Sequence, residues 1–93
     1  MYLSWIVPAY NEEKRIEKTL REVDRYLRAQ NFPGGYEILV VDSSSKDRTE
    51  EIVKEMTKEI SALRLLCIEN RGKGFAVRRG MLDASGDIRV FSD

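Results

Sequence analysis

The sequence predicts an α/β fold: a mostly parallel four-stranded sheet in the order 3-2-1-4, with three helices divided between its faces. Three observations predict it. Four short apolar runs alternate with three segments of helical character along the 93 residues, and such alternation implies parallel strands joined by helices. The second run, "YEILVV" (36–41), is apolar and β-branched at both parities, as a strand covered on both faces must be. Crossovers between parallel strands are right-handed in nearly all cases. Strands 1, 2 and 3 stepping in one direction therefore place two helices on one face, and a fourth strand returning beside strand 1 places the third helix on the other.

The elements follow in order. "YLSWIVP" (2–8) is the first strand, ended by Pro8, which cannot donate to a ladder. From Glu12 to about Gln30, Ile16, Leu20, Val23 and Leu27 recur at helical spacing and form one apolar stripe. Asn11 is the expected N-cap, and Glu12 and Glu13 stand where the helix dipole favours negative charge. "NFPGG" (31–35) supplies the turn residues that stop this helix. After the second strand, Asp47 is expected to cap a helix carrying Ile52, Val53, Met56 and Ile60. "LRLLCI" (63–68) is the third strand, with Cys67 expected inside it as a buried structural thiol. "NRGKG" (70–74) leads into a helix through Phe75, Ala76, Val77 and Leu82, which "ASG" (84–86) ends. "DIRVFSD" (87–93) is the fourth strand.

Composition narrows the function classes. Residues 1–93 make a single domain, and with 42% hydrophobic and 34% charged residues it has the balance of a soluble globular protein. Sixteen basic and sixteen acidic residues cancel, which gives no broad positive field for nucleic acid. There is no histidine, so the commonest metal ligand and general base is missing. One cysteine makes no internal disulfide. No apolar run approaches the roughly 18 residues of a membrane span, and no signal-peptide pattern is present; a cytoplasmic location is expected.

Ligands of open α/β sheets bind beyond the carboxyl ends of the strands, at a topological switch point. Here that rim gathers Pro8, Ala9, Tyr10 and Asn11 after strand 1, Asp42 to Ser45 after strand 2, and Asp93 after strand 4. Tyr10 either offers a flat ring for a base to stack on or is a loop tyrosine half-buried by packing. For Asp42 two readings stay open: a carboxylate accepting charge-assisted bonds from a base or ribose, or an Asx-turn acid closing the strand. Glu12 reads on its own as a first-turn helix acid. Ser45, Lys46 and Asp47 read as a structural turn. In "NRGKGFAVRRG" (70–80) both GxxxxGK[ST] and GxGxxG fail. What remains is either a basic, glycine-rich loop at a helix start, suited to an anion, with Arg71 and Lys73 in reach and one of Arg78 and Arg79 turned toward the site, or a solvated turn whose glycines allow close packing.

"IVPAYNEE" (6–13), "VVDSSSKDRT" (40–49) and "NRGKGFAVRRGMLDASGDIRVFSD" (70–93) together resemble glycosyltransferase family 2, enzymes of the Rossmann-like GT-A fold, and within it the dolichyl-phosphate glucosyl- and mannosyltransferases. The resemblance covers the whole chain but only the N-terminal, nucleotide-diphospho-sugar-binding half of such an enzyme. It implies a parent that moves a hexose, with inversion, from a UDP- or GDP-sugar to a polyprenyl (dolichyl) phosphate at the cytosolic face of a membrane. It implies nucleotide-sugar binding by Pro8, Ala9, Tyr10, Glu12, Asp42, Ser43, Arg71, Lys73 and Asp93. Asp93 matches the first acid of a D-x-D motif that holds Mg²⁺ or Mn²⁺; the second acid falls beyond the chain. Where many relatives read Asp-Asp-Gly-Ser, this sequence has Asp42-Ser43-Ser44-Ser45. Ser44 in place of Gly suggests a turn that does not need positive φ.

A different class of function stands beside this one: a non-catalytic nucleotide-binding or structural module that folds and turns nothing over. The 93 residues alone are expected to be inactive. A receiver-like signalling domain shares the alternation, but "PAYNEE" and "IENRG" do not supply its acidic pair and phosphoacceptor. Strand 4 is expected to leave Ile88, Val90 and Phe91 on an open edge, a route to homo-oligomers.

Overall fold

The computed structural model describes residues 2–92. Its elements are β1 (Leu3–Ala9), α1 (Ile16–Gln30), β2 (Tyr36–Asp42), α2 (Thr49–Thr57), β3 (Leu63–Cys67), α3 (Lys73–Asp83) and β4 (Ile88–Phe91). The strands form one parallel sheet ordered β3-β2-β1-β4. The expected topology is present, with its switch point between β1 and β4.

Side-chain parity sorts two cores. Leu3, Val7, Ile38 and Val40 face α1 and α2, where Leu20, Leu27, Val53 and Met56 cover them. Ile6, Leu39 and Val41 face the other way, toward Ala76 of α3 and Ala84 beyond its end. β2 is central and buried at six of its seven positions, which is why it is apolar at both parities. α3 lies close on its face because of Gly80: a Cβ there would stand 2.5 Å from Ile6 Cγ2 and 3.0 Å from Val41 Cγ2. The buried contacts of α3 are thus Ala76 and Gly80, while Leu82 is 72% exposed.

Several boundaries differ from expectation for local reasons. Asn11 does not cap α1. It adopts left-handed backbone at φ 53°, and a separate turn follows, in which the Glu12 carbonyl accepts the amides of Arg15 at 2.9 Å and Ile16 at 2.8 Å. Regular helix begins only at Ile16, four residues later than the sequence suggests. Asp47 stands one residue before the N-cap of α2, which is Arg48. It still serves the helix start, accepting the Thr49 amide at 2.9 Å. Pro8 lies inside β1 and ends only one side of its ladder. Pairing with β4 stops at Ile6↔Phe91, whereas pairing with β2 runs on to Ala9↔Asp42. Ile6 accepts the Ser92 amide at 3.1 Å; Pro8, the next residue facing that way, has no N–H to offer. Cys67 is exposed rather than buried, because it ends an edge strand.

At the amino end of the strands lies a buried polar knot that the pattern of the sequence does not announce. Glu37 is 4% exposed. It accepts the Ser4 hydroxyl at 2.5 Å, the Arg64 guanidinium at 2.8 Å and the Ser85 amide at 2.7 Å. Burial alone would raise the Glu37 pKa, but these hydrogen bonds and the Arg64 charge outweigh it and hold the carboxyl below its ordinary range. The knot fixes the chain between α3 and β4, since Gly86 also donates to Ser4 Oγ at 2.8 Å. At the far edge, Ile88 and Phe91 of β4 are exposed, as expected, but Val90 is not left open: it is partly buried and packs against the α1 and α2 core. Among the described residues no helix is long and apolar enough to cross a membrane.

Candidate functional site

The opposite, carboxyl rim of the sheet is where the polar segments meet. The Ser43 amide donates to the Ala9 carbonyl at 2.9 Å, which carries the β1–β2 ladder one step past the strand ends. Beyond it the two loops are laced together. The Asn11 amide donates to Ser45 Oγ and the Lys46 amide to Asn11 Oδ1, both at 2.8 Å. The Glu12 amide donates to Thr49 Oγ1 at 2.8 Å, and the Glu13 amide to Asp47 Oδ2 at 3.1 Å. The run of serines, Asp47 and Thr49 therefore supplies acceptors for loop amides that α1, starting late, leaves without helical partners. Ser44 is left-handed at φ 56°, contrary to the expectation that a serine here implied an ordinary turn. Its hydroxyl donates to the Ile68 carbonyl at 2.7 Å, a bond that offsets part of the roughly 1–3 kcal/mol such backbone costs.

Of the two readings of Asp42, the turn-closing one describes this structure. The residue is fully buried. Its carboxylate accepts the Ser45 hydroxyl, and also the Ser45 amide at 3.3 Å. It faces the α2 side, where its oxygen, a Glu50 oxygen and Cys67 Sγ lie within 4.8 Å of one another. Partial desolvation, then the Glu50 and Asp42 carboxylates, push the Cys67 thiol up, so the thiolate is disfavoured there. Glu50 is meanwhile paired with Lys54 at 2.7 Å.

A cleft of about 450 Å³ opens at the switch point, above the short β4 and between the starts of α1 and α3. Pro8, Ala9, Tyr10, Glu12, Ser43 and Lys73, all expected at the site, line it. Tyr10 is 42% exposed, with its ring available to a ligand. Lys73 is the first residue of α3, where the helix dipole adds to its charge. Arg71 does not line the cleft; it pairs with Glu69 at 3.0 Å and its guanidinium lies 5.2 Å from the Phe75 ring centroid. Arg78 is exposed and Arg79 half-buried, and neither lines the cleft. Asp93 lies outside the described residues.

Sequence reasoning missed Arg15, Thr19 and Asn70, which also line the cleft. Arg15 reads in sequence as one more solvated charge on a helix. The only clue to it was its place three residues after Glu12, with which it pairs at 2.5 Å. As for a divalent cation, the cleft presents one described carboxylate, Glu12, already bound to Arg15. One engaged carboxylate is not the multi-oxygen set that Mg²⁺ or Mn²⁺ requires, so the described residues of the cleft do not by themselves make a metal site.

A profile of glycosyl transferase family 2 matches residues 4–93. A dolichyl-phosphate beta-glucosyltransferase of Drosophila melanogaster is 44% identical over 99 residues, covering 98% of this chain and 30% of its own length. A dolichol-phosphate mannosyltransferase of Pyrococcus furiosus is 37% identical, covering 100% of this chain and 25% of its own. Among solved structures, mannosyltransferase PcManGT from Pyrobaculum calidifontis, in complex with GDP-Man and Mn²⁺, is 34% identical with a TM-score of 0.79, covering 94% of this chain and 25% of its own. S. aureus TarS 1-349 in complex with UDP-GlcNAc is 32% identical with a TM-score of 0.83, covering 100% and 26%. The chain thus spans 30% or less of the length of these relatives.

Proposed function

The chain belongs to glycosyl transferase family 2 and carries its GT-A-like fold, and on that premise we propose that it is the nucleotide-sugar-binding portion of an inverting hexosyltransferase. The whole protein takes a hexose from a UDP- or GDP-sugar and delivers it to a polyprenyl phosphate at the cytosolic face of a membrane. The observation that carries this reading is the cleft at the β1–β4 switch point, with Tyr10, Ser43 and Lys73 on its walls.

In the proposed complex the base stacks on Tyr10, against a wall made by Pro8 and Ala9. The Ser43 hydroxyl serves the base or ribose, where a second acid stands in many relatives. The diphosphate lies toward the start of α3. There Lys73 and the helix dipole stabilise the negative charge that grows as the glycosidic bond to the leaving nucleotide breaks. Asp42 acts at one remove, by closing the turn that presents Ser43, and Arg71 by holding the loop against Phe75. The acceptor phosphate attacks the anomeric carbon from the face opposite the nucleotide; already ionised, it needs little help from a general base. A divalent cation, Mg²⁺ or Mn²⁺, would neutralise the diphosphate, with Asp93 as one ligand.

Calorimetric titration with UDP-glucose and GDP-mannose, with and without Mn²⁺, tests the reading. Saturable binding of one of them is expected, without turnover by the 93 residues. Binding of neither would leave a purely structural module.

A further inference from the structure

Each of the two helices that flank the cleft carries a cation at its very start, Arg15 at the N-cap of α1 and Lys73 as the first residue of α3. A helix start is stabilised by anions and disfavours cations. α2, which does not line the cleft, obeys this rule with Glu50 and Glu51 in its first turn. α3 instead opens on Lys73 and has no acid in its first turn. α1 is preceded by Glu12, Glu13, Lys14 and Arg15, with Arg15 at the N-cap, and its one first-turn acid, Glu17, is engaged by Arg21 at 3.0 Å. Arg15 and Lys73 thus add positive charge at two helix starts, on opposite faces of the sheet, and both side chains line one cleft. Arg15 is 76% exposed along its side chain, and the group it touches is the Glu12 carboxylate, also on the cleft wall.

Resting on the nucleotide-sugar reading above, we propose that Arg15 is a second diphosphate-binding residue. It closes on the phosphates from the α1 side while Lys73 holds them from the α3 side. Glu12 is its placeholder: the carboxylate keeps the guanidinium at the cleft wall, and the diphosphate, carrying more charge, takes the guanidinium over when it enters. A planar guanidinium suits this exchange because carboxylate and phosphate present the same pair of acceptors to it.

The test compares nucleoside diphosphate with nucleoside, by calorimetry in one Mn²⁺ buffer, for wild type and Arg15→Gln. UDP and uridine are used, or GDP and guanosine, whichever pair wild type prefers, and thermal melts check that the variant is folded. Arg15→Gln is expected to weaken the diphosphate at least about tenfold, the effect of losing one charged hydrogen-bonding partner, and to leave the nucleoside unchanged. Equal losses for nucleoside and diphosphate in Arg15→Gln, or no loss for either, would overturn the clamp. If wild type binds no nucleoside diphosphate, the reading of the cleft fails and the clamp fails with it; wild-type binding that Arg15→Gln leaves intact defeats the clamp alone.

Discussion

Glu12 donates its backbone amide to the Thr49 hydroxyl at 2.8 Å, and that hydroxyl in turn donates to Asp47 Oδ1 at 2.5 Å. One fully buried threonine therefore joins the loop that carries Tyr10 to the loop that carries Ser43. Thr49→Val keeps the shape and removes both bonds, leaving the Glu12 amide without its acceptor. We expect a loss of about 1–3 kcal/mol by chemical denaturation, with weaker nucleotide binding because the rim loosens. Full stability in this variant would show that the lacing is ornamental.

Gly80 sets how closely α3 approaches the sheet. Gly80→Ala would place a methyl 2.5 Å from Ile6 Cγ2, and overpacking of this kind costs about 1–3 kcal/mol. Gly74 is in the same helix with nothing within 4 Å of an added Cβ, so Gly74→Ala should stabilise by about 0.5–1 kcal/mol through helix propensity. Thermal melts of the two variants are expected to move in opposite directions.

Stability should fall in acid through Glu37. Its folded pKa is held below the ordinary value of 4.5, so its contribution is fully present above that value and is lost as pH drops through the depressed folded value. Glu37→Gln should therefore be less stable than wild type at neutral pH, and the gap should narrow from about pH 4.5 downward. A gap that stays constant with pH would mean that Glu37 acts by shape and not by charge.

How much of this was legible in the sequence depends on the kind of force involved. Strand order and the division of helices between faces were readable, because Ile16, Leu20 and Leu27 on one side and the doubly apolar β2 on the other leave few ways to bury them. Where a polar group finds its partner was not readable. Asp42 and Ser45 are three residues apart, and nothing in their types says that the carboxylate turns down to the serine instead of out to the cleft. Glu37 in a strand reads as a surface residue until Ser4, Arg64 and Ser85 are seen around it. Asn11 and Ser44 took left-handed backbone because bonds to Lys46, Ser45 and Ile68 repay it, and those bonds span up to 35 residues. Cys67 was misplaced for a simpler reason: burial in a strand depends on whether the strand is an edge.

The open edge of β4, with Ile88 and Phe91 exposed, should promote self-association of the 93-residue chain. Light scattering is expected to show a mass that rises with concentration, and Phe91→Lys to reduce it. A clean monomer at high concentration would contradict this.

Tyr10 separates recognition from folding, since it lines the cleft while 42% exposed. Tyr10→Ala should leave the melting temperature unchanged and cost about 1–3 kcal/mol of nucleotide affinity, the worth of stacking one base. Unaltered affinity would place the base elsewhere.

The most direct measurement is the map of amide shifts when the ¹⁵N-labelled chain is titrated with UDP-glucose or GDP-mannose. Perturbations concentrated at Tyr10, Ser43, Gly72 and Lys73, three separate stretches of the chain responding together, are the predicted result. Shifts confined to the outer face of α1 around Arg25, or no shifts with either sugar nucleotide, would contradict it.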